Sequence, residues 1–74
     1  MAKAGKKESW DAGRIKALRG HLDLTQVEMA GQMGIRQQTV SEWEQGQYLP
    51  RGASARLLSI IADRSGFKYD AGKG

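Results

Sequence analysis

The sequence predicts an all-α fold, a compact bundle of four to five helices. Three observations point there. Apolar residues recur at helical spacing, as in Ile15, Leu18 and Leu22, which lie at i, i+3 and i+7. The stretch Thr25-Gln26-Val27-Glu28 has the form of a capping box, a helix start in which each end closes the other's free N–H. Gly34 and Gly46 each close a short helical pattern, and the single proline, Pro50, separates two of the predicted helices.

The chain has 74 residues, enough for one small domain. A domain of that size buries only about 60% of the surface its unfolded chain exposes, so either a marginal fold or an oligomer is expected. Residues 1–8 read MAKAGKKE and have nothing large to bury beyond Met1, which predicts a disordered basic arm. Residues 9–65 form the domain, and residues 66–74, GFKYDAGKG, are expected to be a flexible C-terminal tail. Within that tail Phe67 and Tyr69 are apolar enough to dock on something.

Helix 1 is expected over about Trp10 to His21, with Ser9 or Asp11 as its N-cap. Arg19 falls four residues after Ile15 and so shares the apolar face, where a charge needs a partner. Helix 2 opens at Thr25, buries Met29, Ala30 and Met33, and stops at Gly34. Helix 3 runs from Gln37 to Gln45. Its residues sort into two faces at about 100° per residue. Val40, Trp43 and Glu44 point inward, while Gln37, Gln38, Ser41, Glu42 and Gln45 point outward. Helix 4 covers about Gly52 to Arg64, with Leu57, Leu58 and Ile61 toward the core. Ile60 lies off that stripe, exposed or part of an interface.

A capped helix, a tight turn with glycine and a short second helix make a helix-turn-helix. In that motif the second helix enters the major groove and the first crosses the backbone. The outward residues of helix 3 suit the task. Glutamine pairs bidentately with adenine, and a glutamate accepts from cytosine N4. The start of helix 2, with Thr25 and Gln26, offers N–H groups and the positive end of a helix dipole to a phosphate.

The run LTQVEMAGQMGIRQQTVSEWEQGQYLP resembles the phage repressor and Cro-type (XRE-like) helix-turn-helix family. Thr25-Gln26, Ala30, Gly34-Ile35, Thr39-Val40-Ser41 and Glu44-x-Gly46 fall at that family's characteristic places, and the likeness covers about Ile15 to Ile61. TVSEWEQG, then a Pro-x-Gly and a Leu-Leu helix, is similar to the subgroup of antitoxins and mobile-element regulators. The resemblance implies that Gln26 contacts the phosphate backbone. It implies that Gln37, Gln38, Ser41 and Glu42 read bases or flanking phosphates, and that Gln45 and Arg51 touch backbone or minor groove. It also implies a structural pair between an arginine of helix 1 and a glutamate of helix 3, here Arg19 and Glu44. Those are the two charges that periodicity already turns toward the core. Arg36 stands where relatives carry a capping Ser or Thr, which loses a capping bond worth about 1 kcal/mol. In return it sets a guanidinium within reach of a phosphate or guanine. Many relatives dimerise through a fifth helix, and only residues 66–74 follow helix 4 here.

Other residues read more plainly. Trp43, Met29 and Met33 are core, His21 is exposed, and Arg14 and Lys16 are a solvated helix face. Lys3, Lys6 and Lys7 either reach a groove or belong to a soluble tail. With no Cys and one His, the chain lacks a nucleophile–base pair, a cofactor loop and a metal cluster, so an enzyme is not expected. A signal peptide and a membrane span are not expected either. The expectation is a cytoplasmic, sequence-specific DNA-binding regulator, an autorepressor that binds double-stranded DNA at an inverted repeat as a homodimer. The alternative is an antitoxin-type module whose main partner is a toxin or another protein, motivated by Ile60, Phe67 and Tyr69. The formal charge of +4 is unevenly placed. From Leu22 to Pro50, Arg36 stands alone against Asp23, Glu28, Glu42 and Glu44, so that segment is net negative and the basic excess flanks it.

Overall fold

A computed structural model describes residues 10–68, and four helices lie among them. They are α1 (Ala12–Leu22), α2 (Gln26–Met33), α3 (Gln37–Glu44) and α4 (Ala53–Ser65). The basic arm, and Tyr69 with the rest of the tail, lie outside the described residues.

Each helix begins and ends for a local reason. Asp11, the second of the two expected caps, opens α1 by accepting from the Arg14 N–H at 2.9 Å. Helix 1 therefore starts after Trp10 rather than on it. It ends at Asp23, which adopts a left-handed conformation at φ 58°, a place where a short polar side chain is tolerated. At the start of α2 both halves of the capping box form. Thr25 N–H donates to Glu28 Oε1 at 2.9 Å, and Glu28 N–H donates to Thr25 Oγ1 at 3.1 Å. Gly34 ends α2 at φ 73°. A Cβ there would meet nothing within 4 Å, so the backbone conformation, not crowding, is what asks for glycine. Arg36 precedes α3 without a side-chain cap bond, as its departure from Ser or Thr implies. The expected helix 3 loses Gln45, which forms the C-cap. Helix 4 starts one residue after Gly52, which holds φ 53° and ψ −125°, and runs one residue past Arg64.

The core gathers Ile15 and Leu18 from α1, Met29, Ala30 and Met33 from α2, Val40 and Trp43 from α3, and Leu58 and Ala62 from α4. Leu22, Leu57 and Ile61 are partly buried against it. Ile60 is exposed.

The end of the bundle near Trp10 departs from the sequence reading. Trp10 is only 3% exposed although it precedes α1. Its indole N–H donates to Ser59 Oγ at 2.9 Å, and its ring stacks on Phe67 with centroids 6.4 Å apart. Arg14 is not a solvated residue: its guanidinium lies 4.1 Å from the centroid of the Trp10 ring. Phe67 also meets the His21 ring at 5.4 Å, and His21 Nε2 bonds the Ser65 carbonyl at 2.9 Å. The left-handed Gly66 turns the chain so that the Phe67 N–H donates back to the Ala62 carbonyl at 2.9 Å. Phe67 is thereby drawn onto the bundle. Aromatic rings from both ends of the described chain close one edge of the core.

Trp10→Ala is expected to lower unfolding free energy by about 3–5 kcal/mol, as for other buried aromatic truncations. Trp10→Phe keeps the ring but loses the bond to Ser59, at about 1 kcal/mol. Urea unfolding followed by circular dichroism measures both. Equal effects would mean that the ring's burial contributes little.

Candidate nucleic-acid interface

The surface in question is built on one buried charge pair. Arg19 Nε donates to Glu44 Oε2 at 2.7 Å and Arg19 Nη2 donates to Glu44 Oε1 at 2.9 Å, a two-pronged contact. The Glu44 side chain is 4% exposed and that of Arg19 is 27% exposed. A third Arg19 bond, Nη1 to the Leu24 carbonyl at 3.0 Å, ties in the link between α1 and α2. Gln26, the first residue of α2, donates to Glu44 Oε1 at 3.2 Å. Three helices therefore converge on one carboxylate.

The electrostatics of that carboxylate are a contest. Burial pushes the Glu44 carboxyl up. Hydrogen bonds from Arg19 and Gln26, and the charges of Arg19 and Lys16, push it down and prevail, so its pKa lies below the ordinary 4.5. The Arg19 pKa is raised in turn, first by its hydrogen bond to Glu44, against the opposing effect of burial.

The network continues outward. Gln37, the first residue of α3, donates from Nε2 to Gln26 Oε1 at 2.8 Å. Gln26 is thus a half-buried connector, with the pair behind it and the start of α3 in front. Along α3, Gln38 Nε2 donates to Glu42 Oε2 at 3.1 Å, one helical turn on. Gln45 Nε2 donates to Ser41 Oγ at 2.9 Å. Gln37, Gln38 and Gln45 are exposed, and Ser41 and Glu42 are half-buried. Arg36 is exposed at the N-terminal edge of this row, and Arg51 is exposed in the connection before α4.

Gln26, Gln37, Gln38, Ser41, Glu42 and Gln45 are thus joined in local hydrogen-bonded pairs, while neither Arg36 nor Arg51 is joined to that row by a bond. Sequence reasoning left out Gln47, which follows α3. Its Nε2 donates to Gln45 Oε1 at 3.4 Å and carries the row past the helix end. Only its position just after α3 signals this, because its type is common in any loop. Tyr48 and Leu49 beside it are strongly exposed. Among the described residues no group of His, Cys, Asp or Glu could hold a metal ion.

A frame of α2, a glycine turn and α3 with an outward polar row is the arrangement of a helix-turn-helix. The helix-turn-helix family model matches residues 15–65, which is most of the chain. The chain belongs to that family, of the phage repressor and Cro (XRE) type. It is a DNA-binding regulator in general terms, and its family is one of DNA-binding domains. No curated protein and no solved structure matches the chain. No helix among the described residues is long and apolar enough to cross a membrane.

Because the folded Glu44 pKa is lowered, its contribution to stability is complete above the ordinary value near 4.5 and is lost as pH falls through the folded value. Acid unfolding of wild type should therefore show a loss that Glu44→Gln lacks. At neutral pH, Glu44→Ala should cost about 3–5 kcal/mol by leaving Arg19 unpaired, somewhat less because Arg19 is partly exposed. Urea titrations at several pH values read both. A pH dependence identical in wild type and Glu44→Gln would remove the pair from that role.

Proposed function

We propose that this protein is a cytoplasmic, sequence-specific transcriptional regulator that represses its own operon. It binds an inverted-repeat operator as a homodimer, with half-sites about one helical turn apart. Helix α3 enters the major groove. The observation that supports this most is the row of exposed amides on α3, locked from behind by Gln26 and the Arg19–Glu44 pair.

The residues divide the work. Gln38 reads a base. Its amide gives one hydrogen to Glu42 and keeps its second hydrogen and its oxygen for a bidentate contact with adenine N6 and N7. Glu42 thus acts mainly by orienting Gln38, which suits a carboxylate near phosphates better than direct base contact. Gln37 and Ser41 take bases or flanking phosphates, and Gln26 with the N-terminus of α2 takes a backbone phosphate. Arg36, free of capping duty, clamps a phosphate or a guanine. Gln45 and Arg51 hold the backbone beyond α3. The flanking lysines and arginines supply a field that draws DNA toward a segment itself net negative. Of the residues that motivate a protein-binding, antitoxin-type role, Ile60 is exposed, whereas Phe67 is packed against Trp10 and His21.

Gel shifts on the DNA upstream of the coding region test the reading. Gln38→Ala should weaken specific binding by about 1–3 kcal/mol and relax the base preference at one position of each half-site. Arg51→Ala should weaken binding to all sequences and reduce the salt slope by about one unit. No retarded band at low salt, at any protein concentration, would overturn the proposal.

A further inference from the structure

A groove runs beside α4, lined by Arg14, Arg56, Ser59, Ile60, Asp63 and Phe67. None of these comes from α2 or α3, so whatever lies in the groove leaves the α3 row open. Arg56, Ile60 and Asp63 stand at i, i+4 and i+7 and share one face of the helix. Ile60 is 46% exposed, an apolar residue at the middle of that face. Arg56 and Asp63 are exposed on either side of it, about 10 Å apart along the axis at 1.5 Å per residue. Among the described residues neither side chain has an ion-pair or hydrogen-bonding partner.

The order positive, apolar, negative is self-complementary under one operation only. Turn a second α4 antiparallel to the first and centre the two between positions 59 and 60. Each Arg56 then faces the other copy's Asp63, and the two Ile60 side chains flank Ser59 at the centre. A parallel arrangement sets like charges together. A twofold axis is what a closed dimer needs, with the same patch used by both copies.

We propose that this groove is a self-association surface, occupied by α4 of a second copy of the chain packed antiparallel. The inference deepens the homodimer reading above and rests on it. A single helix–helix contact is smaller than the roughly 1,200 Å² at the low end of stable interfaces. The free dimer is therefore weak, and an operator that binds two copies completes it by mass action.

Sedimentation equilibrium of the full chain without DNA, at low salt and up to about 1 mM, tests this. Wild type should show a monomer–dimer equilibrium. Arg56→Glu sets two negative groups in contact and Asp63→Arg sets two positive groups in contact, so each should weaken association by about tenfold or more. The double variant Arg56→Glu/Asp63→Arg should recover near-wild-type association. An equimolar mixture of the two single variants should also associate, because both cross-contacts are then attractive. Circular dichroism confirms that each variant is folded. A wild type that stays monomeric to about 1 mM overturns the proposal. So does a dimer that neither charge reversal weakens, which would place the contact elsewhere, for instance at Tyr48 and Leu49. A double variant no better than the singles overturns it too, and leaves the groove to a foreign protein. Gel shifts with wild type keep the two readings apart. Operator binding by a protein that fails these association tests removes the groove pairing and leaves DNA recognition standing.

Discussion

The Glu44 carboxylate is the point on which the domain depends. It sits on the inward face of α3, where an unpaired charge would be costly. The fold meets that cost with three donors from two other helices: two from Arg19 and one from Gln26. Such a pair adds little net stability over a well-packed apolar alternative. Its contribution is geometric. A forked guanidinium meets a carboxylate in one orientation, so α3 is held at one rotation relative to α1. That rotation decides which residues of α3 face outward. The same carboxylate orients Gln26, and Gln26 in turn holds Gln37. A buried electrostatic constraint is thus passed by hydrogen bonds to the surface row.

The second feature of the surface is that its polar side chains are already tethered to one another. Gln38 holds Glu42, and Ser41, Gln45 and Gln47 form a chain. Side chains tethered in this way lose less freedom on meeting a partner than free ones would. The cost falls on any bond that must be exchanged. Charge follows a related division. The segment from Leu22 to Pro50, which carries the helix-turn-helix, has Arg36 as its one cation beside four acids, and the basic residues stand around it. On the proposed function, long-range attraction and short-range discrimination lie on different parts of the chain, and salt affects the first more than the second.

Much of the frame was legible beforehand. The capping box of Thr25 and Glu28, the stop at Gly34 and the two faces of α3 follow from local rules, and each appears in the structure within a residue or two. Arg19 and Glu44 were legible as charges on apolar faces, because periodicity shows where a side chain points. The environment of Trp10 was not legible. Its partners Ser59 and Phe67 lie 49 and 57 positions away, and no local pattern announces such a contact. Arg14 looked solvated although the ring it covers lies only four positions before it, because it is Ser59 and Phe67 that fix that ring in place. Phe67 looked like tail because the glycines around it weaken a helix. Gly66 is instead the device that returns it to the bundle.

The sequence by itself determined the order of the four described helices, the caps of α2 and the outward row on α3. Those depend on bonds and periodicities within a few residues. Tertiary structure alone decided that Arg19 and Gln26 share one carboxylate, that the aromatic residues at both ends of the described chain seal one edge, and that Arg14 and Phe67 line one groove with the outer face of α4. Those depend on how helices pack, and packing brings together residues that no spacing along the chain connects.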